Sequence, residues 1–295
     1  MAVLSAKPGV AVRNIVVATD FSPASCLALD YAVAIARHYG SKIHLVHAIE
    51  AGSHAPEPHA GALWGREADA AAAERLRLEA EKCGEMGCAQ WLLKGTALEV
   101  VERILSLDQV DLIVIGTHAG RGFRKAAIGS AAEHFFRNVH CPVLAVGPSV
   151  TESGTVWEPG QVLLATDLQS DEAVAAKCAV LLAREHAARL ALLHVAAPAA
   201  APYPEDQRVI ARPYFESRLR ELLSYKPHLD YPAEFLVEFG EDPVAEILRV
   251  SRQRSIDLIV LSVHREEPWG FHFVHEAYRI VAEAPCPVLI TQRRL

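Results

Sequence analysis

Two stretches of this chain carry residue types that could do chemistry. Thr19-Asp20-Phe21-Ser22 closes a short apolar run, and Gly116-Thr117-His118-Ala119-Gly120 opens a segment that reaches Gly129-Ser130-Ala131, where a helical pattern begins. A glycine-rich turn feeding a helix N-terminus presents free backbone N–H groups and the positive end of a helix dipole, which suits a phosphate. Arg121, Arg124 and Lys125 lie between those glycines, so three cations gather there in a chain of net charge −7. Solvated loop cations around flexible glycines would look the same in isolation, so the segment counts only together with the elements that hold it. No catalytic set stands beside it. The sequence has no GxxxxGK[ST] loop, pyrophosphatase-type SGG loop, HIGH motif or GxSxG elbow, and His118 is the nearest candidate base.

The other histidines and the cysteines read as structural. His264, His272 and His275 have spacings a metal could use, and His54 and His59 share a Pro-rich loop, but in a chain with 14 histidines neither group is taken as a metal site. His47 and His194 occupy equivalent strand positions in two repeats, which points to packing or hydrogen bonding rather than catalysis. The six cysteines form no CxxC pair, so reduced, mostly buried thiols are expected. Cys83 and Cys88 are five apart near a helix end; a redox pair there matches no zinc or thioredoxin spacing.

The elements that must position these residues follow from a duplication. Asn14–Asp20 returns as Gln161–Asp167, Leu45-Val46-His47-Ala48 as Leu192-Leu193-His194-Val195, Asp111–Val114 as Asp257–Val260, and Cys141-Pro142-Val143-Leu144 as Cys286-Pro287-Val288-Leu289, at shifts of 145 to 147 residues. Four ordered matches at one period define two domains, 1–150 and 151–295. In each, short Val/Ile/Leu runs alternate with helical patterns, the mark of a parallel sheet wound with helices. Strands are expected near 14–18, 42–48, 90–93, 111–115 and 142–146, and helices near 23–39, 66–83, 97–107 and 130–138. The second half places helices near 171–187, 214–224, 243–252 and 274–283. Segments 50–65 and 197–213, rich in Pro and Ala, read as long loops.

Composition narrows the function classes. With 51% hydrophobic and 22% charged residues the chain folds, and its net negative charge gives no long-range attraction to nucleic acid. No apolar run approaches the roughly 20 residues of a membrane span, and the N-terminus lacks a secretory pattern, so a cytoplasmic protein that neither crosses membranes nor binds nucleic acid is expected.

The strand ending in Thr19-Asp20-Phe21-Ser22, the Leu45–Ala48 strand, the Gly116–Ser130 loop and the Cys141–Leu144 strand together resemble the universal stress protein family, and the duplication resembles its tandem members. The resemblance covers essentially the whole chain. It implies an α/β fold of two tandem open-twisted five-stranded parallel-sheet domains with helices on both faces, Rossmann-like and similar to the adenine-nucleotide α-hydrolases. It implies a stress-response protein of a family whose nucleotide-binding members take ATP or a related adenine nucleotide; the reading drawn from it is a regulator that binds such a nucleotide, with Mg²⁺ as companion ion, and the missing catalytic motifs leave at most slow hydrolysis. The family pattern G-x2-G-x9-G-[S/T] is matched by Gly116, Gly129 and Ser130, with Ala119 in place of the second glycine and Gly120 directly after it. Carried over, Gly116, Ala119, Gly120, Gly129, Ser130 and Ala131 face the triphosphate, Asp20 the ribose or adenine side, and Ala18, Thr19 and Ala48 the base. If position 119 requires positive φ, alanine there costs about 1 kcal/mol, and its methyl group could obstruct a phosphate.

The second half lacks the motif, with Ser262, Arg265 and His275-Glu276 at the aligned positions, so it is expected not to bind nucleotide. The resemblance also implies antiparallel pairing of 143–146 with 288–291, an intrachain pseudo-dimer, and leaves a homodimer open. A scaffold that binds no nucleotide is the alternative reading.

Overall fold

The computed structural model describes residues 12–49, 61–107, 109–117, 135–136, 139, 141–151, 157–168, 173–197, 204–224, 228–263 and 271–292. Contacts divide the chain into two compact units, built around Val12–Pro148 and Glu158–Leu295.

The first unit runs β1 (Asn14–Ala18), α1 (Pro23–Tyr39), β2 (Lys42–Ile49), α2 (Gly61–Ala80), a 3₁₀ segment (Glu81–Met86), β3 (Ala89–Lys94), α3 (Ala97–Leu107), β4 (Leu112–Gly116) and β5 (Val143–Val146). Its strands lie in the order β3-β2-β1-β4-β5, every pair parallel. Ile15, Val16 and Val17 of β1 and Ile113 and Val114 of β4 are fully buried, as continuous apolar runs must be when helices cover both faces. Both ends of α1 are fixed locally. Ser22 Oγ accepts the Ser25 N–H at 3.2 Å, Pro23 opens the helix, and Gly40 closes it in the left-handed region at φ 70°.

The second unit repeats the plan with β6 (Gln161–Ala165), α4 (Ala173–Glu185), β7 (Arg189–Ala196), α5 (Glu205–Glu221), β8 (Glu234–Phe239), α6 (Pro243–Gln253), β9 (Leu258–Val263), α7 (Phe271–Glu283) and β10 (Val288–Gln292). Its order is β10-β9-β6-β7-β8, again parallel throughout. Each unit is thus an open, five-stranded, Rossmann-like α/β sheet. The repeated aspartates hold the amino ends of the central strands. Asp111 Oδ2 accepts the Arg13 and Asn14 N–H groups at 2.7 and 3.0 Å, and Asp257 Oδ2 accepts those of Gly160 and Gln161, both at 2.9 Å.

Strand expectations hold to within a residue or two, and α1 and α3 fall on their expected residues. Three helices differ. Helix α2 starts at Gly61 rather than 66, and α7 at Phe271 rather than 274. Helix α5 occupies Glu205–Glu221, whereas the sequence pattern places a loop at 197–213 and the helix after Pro213. Proline removes the bond to the carbonyl four residues back, here that of Val209, yet on this exposed side of α5, where Val209 is 69% exposed, the helix continues through the proline. The expected helix at 130–138 falls outside the described residues, except that Phe135 and Phe136 are helical and buried. Among the described residues no helix is long and apolar enough to cross a membrane.

Candidate functional site

The first unit reverses its strand order beside β1. From β1 the chain steps outward to β2 and β3, then returns to β4 on the other side, so β1 and β4 flank the switch point where open α/β sheets bind ligands. Register brings the carboxyl ends together: Ala18 lies opposite Val46 of β2 and Ile115 of β4, with Ala48 two residues further along β2 and Gly116 ending β4. Ala18, Thr19, Asp20, Ala48 and Gly116, distant in sequence, therefore share one edge of the sheet. Ala119, Gly120, Gly129, Ser130 and Ala131 lie outside the described residues.

The turn after β1 is held from several directions. The Thr19 N–H continues the ladder to the Val46 carbonyl at 2.9 Å. His47 Nδ1 lies 2.8 Å from the Thr19 carbonyl oxygen; since that oxygen only accepts, Nδ1 carries the proton. Thr19 Oγ1 accepts the Phe21 N–H at 3.0 Å, which locks Phe21 at φ +63°, a left-handed conformation uncommon for a bulky residue. Phe21 is braced by the His47 ring at 4.2 Å between centroids and by the Arg75 guanidinium at 4.4 Å, while Arg75 Nη2 donates to the Phe21 carbonyl at 3.3 Å. Asp20 stays exposed, and its Oδ1 accepts the Ser22 N–H at 3.0 Å.

Beneath the turn, Thr19 Oγ1 donates to Glu79 Oε2 at 2.8 Å, and Cys26 Sγ donates to Glu79 Oε1 at 3.1 Å. Burial, followed by the hydrogen bond to Glu79, pushes the Cys26 thiol up to about 11, so it remains protonated at neutral pH. Sequence reasoning missed Glu79 and Arg75. Both sit on α2, whose Glu- and Arg-rich pattern reads as a solvated face until the helix is seen packed beside the β1 turn.

Gly116 is required for a reason other than phosphate. A Cβ there would lie 2.2 Å from the carbonyl carbon and oxygen of Ala24 and 2.5 Å from the Ser25 nitrogen. Absence of a side chain lets β4 pass against the first turn of α1, directly beside the Thr19–Ser22 turn.

The second unit reproduces the turn but not its surroundings. The Leu168 N–H reaches Thr166 Oγ1 at 3.0 Å with Leu168 at φ +60°, His194 Nδ1 lies 3.0 Å from the Thr166 carbonyl, and Arg218 donates to the Leu168 carbonyl at 3.4 Å. His47 and His194 are thus hydrogen-bonding struts, as their recurrence suggested. Ser262 takes the place of Gly116 near the end of β9, and His275-Glu276, aligned with Gly129-Ser130, lie inside α7 rather than at its start. Only the first turn of a helix leaves its N–H groups unbonded, so the backbone at 275 and 276 already spends its donors within α7. Among the described residues no cluster of three or more His, Cys, Asp or Glu could hold a metal ion.

The family model for the universal stress protein family matches residues 11–147 and again 160–292, nearly the whole chain in two copies. The chain belongs to the universal stress protein family, as a tandem member. A universal stress protein of Methanocaldococcus jannaschii is 29% identical over 140 residues, spanning 45% of this chain and 81% of the relative. A homologue of universal stress protein A from Coxiella burnetii is 29% identical over 142 residues, 45% of this chain and 95% of the relative. The structure of a universal stress protein from Archaeoglobus fulgidus shares the fold across 96% of this chain and 99% of its own, with TM-score 0.70 and 17% identity.

Proposed function

We propose that the first unit binds ATP or a related adenine nucleotide, with Mg²⁺ on its phosphates, and that this cytoplasmic stress-response protein acts as a regulator rather than an efficient enzyme. The observation that carries the reading is the gathering of Ala18, Thr19, Asp20, Ala48 and Gly116 at the carboxyl ends of β2, β1 and β4, beside the switch point. The small side chains of Ala18 and Ala48 leave room for a planar base. The exposed Asp20 carboxylate is an acceptor for ribose hydroxyls. In sequence, the stretch after Gly116 supplies Arg121, Arg124 and Lys125 together with Gly129-Ser130, the residue types a phosphate site would use. At the Ala119 departure, a one-residue shift of the turn onto Gly120 would restore close backbone approach.

The second unit is proposed not to bind nucleotide, supported by Ser262 and His275 standing where the first half has Gly116 and Gly129 and by the position of 275 and 276 within α7. One observation favours the scaffold alternative: packing against α1 explains Gly116 without any phosphate.

Calorimetric titration of Mg²⁺ and ATP into the intact chain, beside an Asp20→Ala, Gly129→Glu double variant checked for folding by circular dichroism, decides between them. One nucleotide per chain, lost in the variant, is the expected outcome. No heat at millimolar ATP would establish the scaffold reading.

A further inference from the structure

Cys83 and Cys88 are brought together by the irregular chain between α2 and β3. The 3₁₀ segment kinks at Gly84 (φ 57°, ψ −140°), Gly87 follows at φ 63°, and the Gly87 N–H closes the turn onto the Gly84 carbonyl at 3.1 Å. Both glycines hold conformations that side chains resist, and the turn they close is flanked by Cys83 on one side and Cys88 on the other, which leaves the two thiols within reach of one another. The two thiols differ in access. Cys83 is 1% exposed, whereas Cys88 is partly open to solvent at the start of β3.

This arrangement also separates their reactivity. The hydrogen bond from Cys83 holds the Cys88 thiol below its ordinary value, while the same bond and burial keep Cys83 protonated. Burial raises Cys26, Cys141, Cys178 and Cys286, so Cys88 is the one cysteine of the six whose thiolate is favoured.

We propose that Cys83 and Cys88 form a redox-reactive dithiol that hydroperoxides close into a disulfide, with Cys88 as the attacking sulfur and Cys83 as the resolving one. The Cys88 thiolate attacks a peroxide oxygen, the O–O bond breaks, and a sulfenic acid forms as hydroxide leaves and takes up a proton to become water. The Cys83 sulfur then attacks the Cys88 sulfur, the S–O bond breaks, and a second water departs with the Cys83 proton. Two thiols lose two electrons and the peroxide gains them. The closed turn between Gly84 and Gly87 already sets the resolving thiol beside its target.

The full-length reduced chain is treated with a small excess of hydrogen peroxide, alkylated after unfolding, and digested with trypsin. Cleavage after Lys82 and Lys94 leaves both cysteines on the single peptide 83–94. The expected result is that peptide lighter by two hydrogens and closed to alkylation until a reductant is added. A Cys88→Ser variant, confirmed folded by circular dichroism, is expected to lose thiols to peroxide roughly tenfold more slowly and to keep Cys83 alkylable. A Cys83→Ser variant is expected to carry Cys88 as sulfenic and then sulfinic acid. The proposal is overturned if the wild-type peptide carries sulfinic acid at Cys88 with Cys83 free. It is equally overturned if both thiols stay alkylable at a dose that oxidises Cys26 or Cys178.

Discussion

Among single residues, the repeated histidines and Gly116 show how support can be separated from recognition. His194 is buried against the Thr166 carbonyl, and burial holds its imidazolium below the ordinary 6.5 despite the raising effects of that carbonyl and Asp167. The unfolded chain therefore takes up a proton near pH 6.5 that the folded chain refuses. Stability is fully present above that value and falls as pH drops below it. Thermal melts at about pH 7.5 and about pH 5.5 should show a smaller loss for His194→Asn than for the parent chain, because asparagine keeps a donor toward the carbonyl without titrating; equal slopes would remove His194 from the account. Gly116→Ala forces a methyl group onto the Ala24 backbone at 2.2 Å, a contact that neither strand nor helix can relieve by a rotamer change. Urea unfolding should show a loss of about 3 kcal/mol, and a variant as stable as the parent would mean that α1 moves aside freely. The sequence alone offers both Asp20 and Gly116 as candidate site residues. The packing demand on Gly116 is not legible there, because it depends on a helix start some ninety residues earlier in the chain.

Elements defined by local signals could be read directly, and those held by tertiary support could not. Ser22, Pro23 and Gly40 mark α1 within the sequence itself, and the helix runs as they dictate. Helix α5 runs through Pro213 against its local signal: its apolar side lies on β8, with Leu219 fully buried, while Pro213 faces solvent. Since that proline supplies no N–H to the Val209 carbonyl and disfavours the helix, Pro213→Ala should raise stability by about 1–3 kcal/mol in urea unfolding. A loss would mean that the proline ring itself supports the packing of α5 on its strand. The early start of α7 belongs to the same class. No cap signal in the sequence marks Phe271, yet beginning there places residues 275 and 276 within the hydrogen-bonded ladder and removes the open helix start that a phosphate would need.

For the whole molecule the duplication is decisive, since each copy builds its own five-stranded sheet and buries its own core. In the second unit, Val288, Ile290 and Thr291 of β10 are fully buried and pair in register with Ile259, Leu261 and Ser262 of β9. Deleting 286–295 should leave β9 with an unpaired apolar edge and send the chain into aggregates detectable by light scattering; a monodisperse product would show that the unit tolerates an open edge. The sequence by itself determined the family, the two-fold repeat, the parallel α/β character and the strand ends that meet at the switch point, because apolar periodicity, caps and repeated motifs are local properties that survive without coordinates. Only the tertiary structure decided that Glu79 and Arg75 brace the first-strand turn, that Gly116 answers to helix packing, that 275 and 276 sit within a helix, and that Cys83 meets Cys88. Each of those depends on which backbone segments approach one another in space, and that is fixed by the packing of the whole unit.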